Sequence, residues 1–203
     1  MKLTHRLNQL AAAGLISLGL VSVSQTADAF RMIQNDGVGR FSAGALVTCN
    51  DPDGFVHWDI RNIDWRYNPA RQGSEAGGPI ASALQSWTQV SQASHNLSLV
   101  GTTSARFRTD GINGMSWARG SGCNGNCLAL TALVLEPGQV IVETDVTFNE
   151  RHPWNTNGSN FDIEAVAAHE VGHALGIHHT EQSGNPTPTM NASYFGTAGR
   201  SLE

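Results

Sequence analysis

The chain has 203 residues, with 12 Lys and Arg against 17 Asp and Glu and a formal net charge of −5. That is enough chain for one domain with a real core. The acidic balance argues against a nucleic-acid binder, which needs basic surface to displace counterions.

The first 29 residues differ in kind from the rest. Lys2 and Arg6 precede an apolar run over residues 10–23, and Ala27-Asp28-Ala29 follows as a small-x-small cleavage signal. This order is that of a secretory signal peptide. The apolar run is also shorter than the roughly 20 residues that cross a bilayer. Cleavage starts the mature chain at Phe30. The signal carries a net +1, so −6 remains. The expected location is extracellular or periplasmic, with no membrane span after cleavage. Residues 30–54 are Gly-rich, weakly patterned and of unclear role, and residues 55–203 read as one domain.

An oxidising compartment favours disulfides. Cys123 and Cys127 bracket Asn-Gly-Asn, a flexible loop that can close on itself, so a Cys123–Cys127 bridge is the first choice. A zinc site on this pair is disfavoured, because no second Cys or His pair stands at a matching distance. Cys49 is then left over.

In chain order, Trp58, Ile60, Ile63 and Trp65 read as core-facing residues of an early strand region, and residues 70–79 as a loop. Ile80, Ala83, Leu84, Trp87 and Val90 recur at helical spacing and predict an amphipathic helix, with Pro79 near its first turn. Residues 96–100 suit a short strand, and a second is expected near residues 115–118 within Gly- and Ser-rich loops. Residues 128–135 are apolar enough for another, ending at the Pro137-Gly138 turn. In residues 140–148, period two places Val140, Val142, Val146 and Phe148 on one face and Glu143 and Asp145 on the other. A polar loop over 149–160 leads to a second helix over 162–175, with Asp162 as its N-cap. The order predicts an α+β domain, a mixed twisted sheet packed on an early helix and a later one.

The second helix carries the chemistry. His169 and His173 are four residues apart, which puts both imidazoles on one helix face as a preset pincer for zinc. Glu170 is turned roughly 100° from His169 and can reach a metal-bound water without ligating. Gly176 follows three residues after His173, where a left-handed residue can stop the helix. The chain can then fold back and present His179 as a third ligand. Together these residues form His-Glu-x-x-His-x-x-Gly-x-x-His, a strong pattern because five positions are specified at once. His178 falls outside the spacing and reads as a bystander. His57, His95 and His152 stand alone and read as structural or surface residues.

This extended motif resembles that of metzincin zinc peptidases, whose pattern ends in a methionine turn. Met190, eleven residues past His179, matches that methionine. The resemblance implies that Met190 packs beneath the three imidazoles without binding metal. Within the clan the chain is most similar to the matrixin branch. The first helix with Trp87, the strand Val-Ile-Val-Glu-Thr-Asp-Val-Thr-Phe-Asn ending at Asn149, the stretch 162–180 and Met190-Asn-Ala-Ser-Tyr194 carry the likeness. It implies one catalytic zinc held by His169, His173 and His179, with Glu170 as general base. It also implies that residues 128–135 form an edge strand pairing with extended substrate, and that Tyr194 lines the pocket for the residue after the cut.

The implied function is a secreted, monomeric zinc endopeptidase acting on proteins or peptides. The alternatives are a metzincin of another branch or a zinc-binding module without turnover. Calcium is compatible with the resemblance but not shown by the sequence. Four features depart from the family pattern. The stretch before residue 54 is too short for a usual prodomain and lacks its cysteine latency segment. No His/Asp set for a structural zinc is visible. Ala192 stands where proline is usual. The stretch 199–203 resembles the lead-in to the last helix of these domains and then stops, so that helix is expected to be missing or the sequence incomplete.

Overall fold

A computed structural model of the chain describes residues 14–17, 31–35, 41–43, 55–91, 93–119, 127–180 and 188–202. Three short strands come first: β1 (Gly14–Ser17), β2 (Arg31–Asn35) and β3 (Phe41–Ala43). Next are β4 (Asn62–Tyr67), helix α1 (Gly77–Thr88), β5 (Asn96–Thr102) and β6 (Asn113–Ala118). The antiparallel pair β7 (Ala129–Glu136) and β8 (Val140–Asn149) follows, joined at the Pro137-Gly138 turn. Two-residue strands β9 (Trp154–Asn155) and β10 (Phe161–Asp162) lead into α2 (Ile163–Ala174). After it come β11 (Ile177–His178) and a 3₁₀ turn, Gly196–Arg200.

The main sheet has the order β1-β7-β8-β6-β4-β5. Strands β5, β4, β6 and β8 run parallel, and β7 lies antiparallel on β8. This is a mixed sheet packed on two helices, the α+β architecture expected. The core lies between sheet and helices, with Ile63, Trp65, Met115, Leu133, Val146 and Phe148 from the sheet meeting Ile80, Leu84, Val166 and Val171. Trp117 stacks on Phe148 at a centroid distance of 4.7 Å and extends it.

Three sequence expectations are corrected. Ile60 is 53 % exposed and Val90 42 %. Ile60 precedes β4, and Val90 lies beyond the last residue of α1, so neither shares the periodicity that buries its neighbours. In β8 the predicted face fails at its start. Val134 pairs with Glu143 but Leu135 with Ile141, so Val142 is an extra residue at a bulge. The bulge shifts the alternation by one. Ile141 is buried and Val142 is 40 % exposed, whereas Val146 and Phe148 keep their predicted core face.

The polar face of β8 is not solvated either. Glu143 and Asp145 are buried and hold the β5–β6 loop through backbone amides. Glu143 accepts from Asp110 N and Gly111 N, and Asp145 from Arg108 N and Gly114 N. Burial pushes the Asp145 carboxyl up to about 7, and the nearby Glu143 and Asp110 carboxylates add to it, against the amides of Arg108 and Gly114. An unfolded Asp releases its proton near ~4. Between those values the folded chain binds more protons than the unfolded one, so this group's contribution to stability falls as pH rises from about 4 to about 7. Asp145→Asn removes that titration. Calorimetric melts at pH 5 and pH 8 are expected to show the variant losing less stability with rising pH than the parent. Parallel curves would refute the buried-proton reading.

Helix α2 is clamped from three sides. Trp87 Nε1 donates to Ala168 O at 2.8 Å and Trp58 Nε1 to Ala174 O at 2.8 Å. Below them, Gly172 leaves room for other side chains. A Cβ there would lie 2.2 Å from Met190 Sδ and 2.9 Å from Trp87 Cζ2. Alanine is intrinsically better in a helix by about 1 kcal/mol. Overpacking against a hydrogen-bonded indole costs about 3 kcal/mol. Gly172→Ala is therefore expected to lose about 2 kcal/mol net and to melt roughly 4–8 °C lower in a thermal scan. An unchanged or higher melting temperature would show that Met190 moves aside freely.

Candidate metal centre

The local sequence builds the centre in three steps. Asp162 caps α2, its side chain accepting from Ala165 N at 3.0 Å. The helix then runs through His169, Glu170 and His173, all buried. Gly176 stops it with φ +89°, and a Cβ at that position would lie 2.6 Å from Val56 O. Both the dihedral and the close approach exclude other residues there. The turn swings the chain through β11 and returns His179 to the helix.

The three Nε2 atoms meet. His169–His173 is 3.1 Å, His173–His179 is 3.0 Å and His179–His169 is 3.1 Å. Among the described residues these three form a group whose ligand atoms all lie within 4.8 Å of one another. His178 is outside the group, its ring centroid 5.4 Å from that of His179. His57, His95 and His152 lie apart, each bonded to a backbone carbonyl, of Phe55, Ile60 and Cys127 respectively.

The donor chemistry fits a zinc ion. Nδ1 of His169 is 2.7 Å from Thr189 O, and Nδ1 of His173 is 2.8 Å from Ile177 O. A carbonyl only accepts, so each Nδ1 carries the hydrogen and each neutral ring turns a bare Nε2 inward. Lone pairs this close repel unless a cation lies between them. A proton is a poor one here. Burial holds His169 down to about 4 and His179 down to about 3, and His173 lies well below its usual value. Tetrahedral zinc at Zn–N of 2.0–2.1 Å sets its ligand nitrogens roughly 3.3–3.4 Å apart, near the observed spacing.

Glu170 is fully buried beside the rings. Its Oε2 accepts from Thr131 Oγ1 at 2.6 Å, while Oε1 has no hydrogen-bond partner. Burial pushes its carboxyl up to about 8, with the Thr131 hydroxyl opposing. A divalent cation alongside draws such a group back down.

Residues 189–190 lie against the helix that carries His169 and His173. Met190 is buried against Gly172, its carbonyl accepts from Thr180 N, and the preceding Thr189 carbonyl orients His169. A pocket opens next to His169, lined by Val166, Thr189, Tyr194, Phe195 and Gly199 among others. The Tyr194 hydroxyl accepts from Asp162 N at 2.8 Å and donates to Asn160 O at 3.1 Å. Arg200 pairs with Asp162, which ties the pocket wall to the start of α2. Neither Thr131 nor Arg200 was identifiable as a site residue from sequence, since no motif marks either. Cys127 is disulfide-bonded. Cys123 and Cys49, and hence the expected pairing, lie outside the described residues.

A mixed sheet over a helix that, with the turn after it, brings together three histidines able to hold a metal fits the catalytic-domain architecture of the metzincins. The matrixin family model matches residues 24–197, and the chain belongs to that family. It is 28 % identical over 149 residues to human neutrophil collagenase, covering 70 % of this chain and 29 % of that protein. Interstitial collagenase of the horse, Equus caballus, is 29 % identical over 156 residues, covering 71 % and 30 %. That of the rabbit, Oryctolagus cuniculus, is 26 % identical over 138 residues, covering 64 % and 28 %. The match thus spans under a third of each of these relatives. Matrixin relatives are zinc endopeptidases, and the family is zinc-dependent.

Proposed function

We propose that the chain is a zinc-dependent endopeptidase, with His169, His173 and His179 as the metal ligands and Glu170 as general base. The observation that carries this reading is the meeting of three Nε2 atoms, those of His169 and His173 bare, beside a buried carboxylate with one unpartnered oxygen. Held by these three imidazoles, a zinc ion would supply Lewis-acid chemistry, making a water more acidic and polarising a carbonyl. Glu170 Oε1 takes a proton from the attacking water and returns it to the leaving amine. Met190 supports the rings, and Tyr194 lines the pocket for the residue after the cut.

Strand β7 is the shelf for an extended peptide, which adds to it as a further strand. The chain itself supports this use of the edge. Residues Gly14–Ser17 pair antiparallel with it, Gly14 opposite Leu133 and Ser17 opposite Leu130. Those residues lie in the segment read as a signal peptide, so its removal frees the edge. Among the described residues no helix is long and apolar enough to cross a membrane. The signal peptide read over residues 1–29 makes the protein a secreted one, and its substrates are proteins or peptides. Residues 30–54 precede the catalytic domain, and Cys123 bonds to Cys127.

The test is cleavage of an internally quenched peptide with and without a chelator. Chelation is expected to lower the rate at least ~100-fold, and added zinc to restore it, since a metal site of this kind supplies several kcal/mol of transition-state stabilisation. Zinc binding at one equivalent without cleavage of any peptide would favour a binding module instead. Cleavage indifferent to the chelator would defeat both readings.

A further inference from the structure

We infer that Thr131 is a positioning residue for Glu170, holding the base in register with the strand on which substrate lies. The inference rests on the assignment of Glu170 as general base. Thr131 sits in the middle of β7, fully buried, 39 residues before Glu170 in sequence. Its Oγ1 is 2.6 Å from Glu170 Oε2 and 3.1 Å from the Glu170 carbonyl. A hydroxyl has one hydrogen to give. The carbonyl lies within a helix, where the amide four residues on supplies a donor, and the carboxylate is nearer, so the hydrogen goes to Oε2.

The consequence is geometric. Glutamate has three rotatable side-chain bonds and would lose its aim if unheld. Threonine is β-branched and stiff at its own first torsion, so it makes a rigid post. With Oε2 pinned, Oε1 is the one oxygen left to exchange a proton, and it has no other partner. The post belongs to the strand whose outer edge is proposed to bind substrate backbone. Substrate register and base position are therefore set by the same element, and a base within hydrogen-bond reach needs no search.

The experiment is steady-state cleavage by zinc-loaded protein, with zinc content measured on each variant. Thr131→Val keeps the branch and the volume and suits a strand, so the fold is expected to survive. Its kcat should fall roughly 10- to 100-fold, as for the loss of one hydrogen bond to a charged group, with KM nearly unchanged. Thr131→Ser should recover most of the rate, because it restores the hydroxyl. Adding Thr131→Val to Glu170→Ala should cause no further loss, since the post then has nothing to hold. A parent-like kcat in Thr131→Val, with Glu170→Ala inactive, overturns the role of Thr131 alone. The same follows if Thr131→Val still lowers the rate in the Glu170→Ala background, or if Thr131→Val loses zinc. A parent-like rate in Glu170→Ala overturns the assignment of the base as well.

Discussion

Glu170→Ala is expected to fold and to hold about one zinc per chain, yet to cleave peptide at least ~10² to 10⁴ times more slowly than the parent, the range for a lost general base. Retention of metal follows from the geometry. The Nδ1 partners of His169 and His173 are backbone carbonyls, of Thr189 and Ile177, so removing the carboxylate leaves both ring orientations intact. The fold is expected to tolerate the change for a related reason. Glu170 is a buried carboxylate whose described hydrogen-bond partner is Thr131, and burial already disfavours its charge. Replacing it removes a charge that is costly to bury as well as a hydrogen bond. Elemental analysis for zinc beside steady-state kinetics reads both parts. A variant that loses zinc together with activity would make Glu170 a structural support. One that cleaves at the parent's rate would remove it from the mechanism.

His179→Ala should fail in the opposite way. Two rings stay fixed on α2, but the third ligand is gone and with it the closed set of three Nε2 atoms. Loss of a supporting group around a metal costs 10–100-fold in affinity, so loss of a ligand should cost at least ~100-fold. The variant is expected to lose zinc on dialysis against buffer. It should also melt lower, because metal bound only to the folded state stabilises it. His178→Ala is the control. Its ring neighbours His179, but its atoms lie outside the group that meets. Zinc should remain and activity should change little. If His178→Ala releases zinc while His179→Ala keeps it, the two adjacent histidines have been assigned the wrong way round.

The sequence by itself determined what depends on short range. The four-residue spacing of His169 and His173 becomes a shared helix face whatever surrounds it, because helix geometry is local. Gly176 could be read as the stop and His179 as the return for the same reason, and the structure gives that glycine φ +89°. The extents of β7 and of α2 were also legible to within a residue, the first from its apolar run and the second from its cap and stop, and that of α1 to within three residues from its periodicity.

The tertiary structure decided what depends on a partner far along the chain. Val142 looks like a core residue until β7 opposes it, since a bulge is a mismatch between two strands and neither shows it alone. Asp145 looks like a solvated acid, and only the loop that β5 and β6 bring over it buries the carboxyl. Thr131 carries no motif. It becomes part of the site because the strand order places β7 alongside α2, 39 residues on, where its hydroxyl meets Glu170. Spacing along the chain encodes which side chains can share a face. Which face each then meets is set when the whole chain buries its apolar surface at once.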